Sequence, residues 1–132
     1  MEKITNLIAR LLLAHIFLIA GISKINGYAG TQSYMDAMGV PGGMLPLVIG
    51  LEMLGAVALI LGWQTRIAAL ALAGFSVISA IIFHFNFSDQ MQTILFMKNF
   101  AMAGGLLMVT TYGAGELSLD HRFRKGKLKS NA

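Results

Sequence analysis

Met44-Leu-Pro-Leu-Val-Ile-Gly-Leu-Glu52-Met-Leu-Gly-Ala-Val-Ala-Leu-Ile-Leu61 is the stretch that decides the fold. It is close to the ~20 apolar residues that a bilayer-spanning helix needs. It is also apolar on every side, where a surface helix of a soluble bundle would carry a polar face. Its single ionisable residue, Glu52, stands in the middle. Hydrocarbon is a costly place for a charge, so an acid held there is a functional-site candidate.

Three more segments read the same way: Ile4 to Ile25, Ile67 to Phe87 and Thr93 to Tyr112. The chain of 132 residues is 56% hydrophobic and 12% charged, against about 45–50% apolar and 25% charged in soluble domains. The expected fold is all-α: an integral membrane four-helix bundle, antiparallel, filling 1–132 as one domain with no extramembrane catalytic domain. The first segment follows Lys3 and resembles a signal peptide cut near Ala20-Gly21. Its length, the interruption at Arg10 and the three later spans favour an uncleaved helix instead.

The connections fit that topology. Gly62 to Arg66 is a tight turn with an interfacial Trp63, and Asn86 to Gln92 is short. Asn26 to Gly43 is longer, and within it Thr31 to Met38 is predicted to form a short outer helix, ended by Gly39 and Pro41, which reads as an interfacial helix lying on the headgroups in preference to a lid over an outward-facing cavity. The tail from 113 to 132 carries Arg122, Arg124, Lys125, Lys127 and Lys129. With Lys3 and Arg66 on the same side, the positive-inside rule places both termini in the cytoplasm. The net charge of +4 therefore reads as topology and attraction to anionic lipid, and no nucleic-acid module accompanies it.

Small residues predict the helix contacts. Ala69, Ala73, Ser76, Ala80 and His84 share one stripe of the third span, and Lys98, Ala101 and Gly105 share one of the fourth, with Gly104 beside it. Such stripes let helices approach closely in lipid, so both are expected to face the interior. By the ~1.5 Å rise per residue, Arg10 sits about two turns above the cytoplasmic edge, Glu52 near the midplane and Lys98 about a turn or two below the outer edge. Glu52 is flanked by Arg10 and Lys98, either of which is within reach. Lys24, at a helix end, can snorkel to water. Glu52 and Arg10 read either as a pair that locks the bundle or as part of a site with excess cation, suited to an anionic or proton-exchanging ligand. Quinol chemistry would use Glu52 as proton acceptor with His84 or Lys98 on a quinone oxygen, and a proton-coupled transporter would use the same acid as its carrier.

Other chemistry is poorly supported. Cysteine is absent, which removes disulfides, thiol exchange and Cys-ligated zinc or iron–sulfur clusters from this chain. His15 and His84 lie at different depths, against a bis-His haem, and His121 is expected to be solvated. The nine Met residues form no Met-x-x-Met cluster beside a His, so no metal site is expected. No phosphate loop, dinucleotide fingerprint or nucleophile motif is present, and the chain shows no self-contained catalytic motif.

An ordered set of short motifs resembles the DoxX family of small bacterial inner-membrane proteins, nearest to its YqjF-like branch. The matching pieces are Arg10 with Phe17-Leu-Ile-Ala-Gly-Ile-Ser-Lys24; Gly39-Val-Pro-Gly42; Glu52 leading to Leu59-Ile-Leu-Gly62 and Thr65-Arg66; His84; Phe96-Met-Lys98-Asn99 before Gly104-Gly105; and Gly113-Ala-Gly115-Glu-Leu-Ser118-Leu-Asp120. Ala114 departs from the Pro usual in that last turn and is expected only to loosen it. The resemblance implies the four-helix membrane bundle already read from periodicity, and a redox setting, because the family is associated with quinol oxidase and thiosulfate:quinone oxidoreductase subunits and with oxidative stress.

The resulting expectation is an inner-membrane protein binding a quinone-like or other small redox-active molecule. Glu52 exchanges the proton, Lys98 and His84 hydrogen-bond the ligand oxygens, Arg10 partners Glu52, and Lys24 and Asn99 complete the ligand-binding set. Any electrons would come from the quinone or a redox partner subunit. Two other classes stand beside it: a proton-coupled exporter of aromatic or phenolic compounds acting as a homo-oligomer, and a non-catalytic assembly or anchor subunit.

Overall fold

The computed structural model describes residues 1–131. Helix α1 spans Glu2–Asn26, α2 Tyr28–Ala37, α3 Leu45–Leu61, α4 Thr65–Phe83, α5 Gln90–Tyr112 and α6 Leu119–Ser130, with one 3-10 turn, Gly42–Met44, ahead of α3. Helices α1, α4 and α5, and α3 together with its 3-10 turn, are each long and apolar enough to cross a membrane. The chain is an all-α membrane bundle of four antiparallel spans. Helix α1 packs along α3 and α4 along α5, the α3–α4 turn joins the two hairpins, and α1 and α5 are the loosest neighbours.

Packing in lipid depends on close fit rather than on apolar burial, so interior faces carry small residues. Ala69, Ala73, Ser76 and Ala80 of α4 are all buried, as their spacing predicts, and join Ala14, Phe17, Ala56, Leu59 and Leu72 in the core. The fourth span differs from expectation. Its buried residues are Ala103, Leu106 and Val109, with Met102 and Asn99 on the same side, whereas Lys98, Ala101 and Gly104 are exposed. Lys98 precedes Asn99 by one position, about 100° around a helix, which turns it off the interior face.

The end of the bundle that holds residue 1 is tied by polar contacts. The helix α6 was not foreseen in the basic tail; Ser118 caps it by accepting from the His121 amide, and Lys127 and Lys129 suit its C-terminal dipole. Asp120 fixes it to the α3–α4 turn, accepting from the amides of Gln64 at 2.8 Å and Thr65 at 3.0 Å and from the Thr65 hydroxyl at 2.7 Å. The Asp120 amide donates to the Gly62 carbonyl at 2.9 Å. Burial pushes the Asp120 carboxyl up, but the Thr65 and Gln64 hydrogen bonds and the Arg10 guanidinium outweigh it, so the group lies below its usual value. A depressed carboxyl stabilises the fold above its unfolded pKa of about 3.9, and that contribution disappears as the pH falls through the folded value. Asp120→Asn should therefore melt below wild type at neutral pH, with the gap closing below about pH 4.

Gly62 ends α3 in the left-handed region, at φ 70°. A methyl group there would meet the Ser118 side chain and come within 2.6 Å of Arg10 Nη1. Gly62→Ala combines backbone strain with overpacking and should lower stability by about 2 kcal/mol or more, read from thermal unfolding in detergent.

Candidate functional site

A cavity of about 470 Å³ lies in the half of the bundle away from residue 1, between α1, α3, α4 and α5 and under α2. Its walls are mainly apolar, from residues such as Phe17, Val48, Phe75 and Met102. Lys24, Glu52, Ser76, Ser79, His84 and Asn99 bring polar groups to it.

Helix direction explains the central pair. Every Cα–Cβ bond tilts toward the N-terminus of its own helix. On α1 that tilts Lys24 down into the bundle, and on antiparallel α3 it tilts Glu52 up toward the same level. Lys24 Nζ donates to Glu52 Oε1 at 2.8 Å and Oε2 at 3.1 Å. Glu52 is 2% exposed and Lys24 27%. The expected Arg10 partnership is thus corrected: the same tilt carries Arg10 away from Glu52. Its Nη1 donates to the Leu59 carbonyl at 2.9 Å, its Nη2 to the Leu117 carbonyl and its Nε to Asn6 Oδ1 at 2.9 Å. Arg10 staples α1 to the end of α3 and to the strap before α6. The cavity holds one paired acid and cation, not an excess of cation.

His84 caps the end of α4, and its Nδ1 lies 2.7 Å from Gln92 Oε1 at the start of α5. The Gln92 side chain engages Nδ1, so Nε2 is the ring nitrogen left for another partner. Lys98 does not line the cavity; Asn99, its neighbour on the interior side of α5, does.

Helix α2 is both the interfacial connector and the roof of the cavity. Met35 is buried and lines the cavity with Tyr34, whose ring stacks on Phe83 with centroids 5.5 Å apart. The turn after α2 is held by Asp36 Oδ1, which accepts from the Gly42 amide at 2.7 Å, and by Gln32 Nε2, which donates to the Gly42 carbonyl at 3.2 Å. Ser76 stands out in the sequence only as part of the α4 small-residue stripe, and Ser79 carries no signal there. The Ser76 hydroxyl already donates to the Leu72 carbonyl at 2.8 Å, an ordinary helical arrangement that leaves its oxygen as acceptor.

The DoxX family model matches residues 5–85, which include Lys24, Glu52 and His84 and stop short of Asn99. Inner membrane protein YqjF of Escherichia coli (strain K12) is 47% identical over 95% of this chain and 96% of its own. Inner membrane protein YphA of the same organism is 35% identical over 88% of each chain. The Bacillus subtilis (strain 168) protein named "Putative oxidoreductase CatD" is 29% identical over 98% of this chain and 94% of its own. No solved structure gives a significant match. The family match spans more than half of the chain and two relatives exceed the identity that fixes kinship over nearly its whole length, so the chain belongs to the DoxX family.

Proposed function

We propose that this protein binds a quinone-like molecule in the cavity beneath α2 and supports a redox process of the bacterial inner membrane. The observation that carries the reading is a hydrogen-bonded, nearly buried Lys24–Glu52 pair set into the wall of an otherwise apolar cavity. Its volume of about 470 Å³ falls within the ~300–1,000 Å³ typical of small-molecule sites. The donor set fits the ligand class: apolar walls take a ring, the Lys24 ammonium and the Asn99 amide donate to ring oxygens, and Glu52 accepts a hydroxyl proton. A bound quinone would supply an acceptor for two electrons and two protons. Glu52 is the group that would hold and pass a proton, with Lys24 steadying its charge, while His84 Nε2 hydrogen-bonds a ligand oxygen. No electron carrier motif is present in the sequence, so the electrons would enter from a partner subunit or arrive on the ligand in its quinol form.

The names of two relatives as inner membrane proteins support that location, and the name of CatD supports a redox role. Lys3, Arg66 and the cations of α6 lie toward one end, which the positive-inside rule assigns to the cytoplasm together with both termini.

The test is extraction of protein purified in a mild detergent, with quinone assayed by absorbance and mass. Wild type should carry quinone near stoichiometrically, Glu52→Gln and Asn99→Leu should carry several-fold less, and Lys98→Met, altered on the outer face of α5, should match wild type. Well-folded wild type without quinone would overturn the reading. A second reading rests on the α2 roof: a proton-coupled exporter of phenolic compounds would use the same pair, with α2 as its gate. Proton-dependent efflux from vesicles that vanishes in Glu52→Gln would favour it.

A further inference from the structure

The cavity has a side wall as well as a roof, and that wall includes the seam between α1 and α5, which pack together more loosely than the helices of either hairpin. The seam closes where Gly105 meets Leu13: a methyl group on Gly105 would lie 3.2 Å from Leu13 Cδ2. The helices are antiparallel, so three residues beyond Leu13 toward α2 bring α1 to Ile16, and three residues back from Gly105 bring α5 to Met102. Both line the cavity, and Ile16 is at the same time 41% exposed. One turn further, Ala20 on α1 faces the level of Asn99 on α5, and both again line the cavity. The stripe continues on α1 to Lys24. The seam is therefore tight below and bordered above by two apolar lips, with a polar group at the end of each: Lys24 on one side and Asn99 on the other.

Resting on the proposed quinone site, we propose that this seam is a lateral window to the hydrocarbon, and that the ligand class is a membrane-dissolved quinone with a long apolar tail. The ring lies in the cavity against Lys24, Glu52 and Asn99. The tail leaves between Ile16 and Met102 into the bilayer, so exchange takes place from lipid and not through the roof. Three features favour a tailed occupant over a water-soluble phenol. The lips are apolar, the window opens at the depth of acyl chains, and the ring-facing polar groups lie along the cavity side of the seam.

The test compares a tail-less benzoquinone with the same ring bearing a polyprenyl tail, using wild type, Ile16→Trp and Met102→Trp in nanodiscs, with thermal stabilisation on binding as the readout. A Trp at either lip fills the window while leaving the Lys24–Glu52 pair untouched. Each variant should lose about tenfold or more in affinity for the tailed quinone relative to its own affinity for the tail-less ring, the size expected of one overpacked contact. Because Ile16 is partly exposed, its variant is expected to fold, and retained binding of the tail-less ring certifies that it has. Equal affinity of both variants and wild type for the tailed quinone would overturn the window while leaving the cavity reading standing, as would a parallel loss of both ligands. Failure of wild type to bind either ring would overturn the cavity reading and the window with it.

Discussion

Lys24→Met should lower stability by about 3–5 kcal/mol, because it leaves a carboxylate in a low-dielectric interior without its partner. Glu52 is 2% exposed and its two oxygens take their hydrogen bonds from Lys24. The double variant Lys24→Met with Glu52→Leu should recover most of that loss, since a buried ion pair replaced by apolar side chains of similar size is often neutral or stabilising. Thermal unfolding of the three proteins in one detergent checks this. A single variant no less stable than the double would mean that the two residues are not energetically coupled. The double variant should also fold well yet bind no quinone, which separates a site role from a purely structural one.

Arg10→Met should be comparably damaging for a different reason. Arg10 is 0% exposed, and its guanidinium satisfies the carbonyls of Leu59 and Leu117 and the side chain of Asn6. Unmet buried polar groups cost about 1–3 kcal/mol each, so the loss should total several kcal/mol. Arg10→Lys should restore only part of it, because an ammonium cannot present the planar fork that reaches three acceptors at once. Limited proteolysis should locate the damage in the strap between α5 and α6, with cleavage there appearing well before global unfolding. Once folded, the Arg10 variants should keep their quinone, since the residue lies at the opposite end of the bundle from the cavity. A selective loss of ligand with an unchanged melting temperature would contradict the assignment of Arg10 as a staple.

The architecture was legible because hydrocarbon imposes a simple rule on length and polarity, and Glu52 stood out because that rule is broken at its position. The small-residue stripe of α4 was legible because Ala69, Ala73, Ser76 and Ala80 recur at helical spacing over three turns, further than Ala68, Ala71 and Gly74 beside them. On α5 two stripes competed. Lys98, Ala101 and Gly104 point outward, Leu106 and Val109 are buried, and of the small-residue set only Gly105 meets a neighbouring helix, at Leu13. Lys98 was lost from the site and Asn99 promoted by that rotation. Reach alone does not select the partner of Glu52, since Arg10, Lys24 and Lys98 are all long side chains. Helix polarity, which the antiparallel topology already implied, aims Lys24 and Glu52 at each other and Arg10 away. The α6 helix was hidden by reading the tail for charge alone, although Ser118 and Asp120 at its start are ordinary N-terminal signals.

The proposed site turns on Glu52 exchanging a proton with a quinone held beside Lys24. Infrared difference spectroscopy of the quinone-loaded protein during electrochemical reduction tests it most directly. A carboxyl C=O band is expected to change on reduction, to shift in heavy water and to be missing from Glu52→Gln. A loaded protein whose reduction leaves every carboxyl band unchanged, or whose carboxyl signal persists in Glu52→Gln, would contradict it.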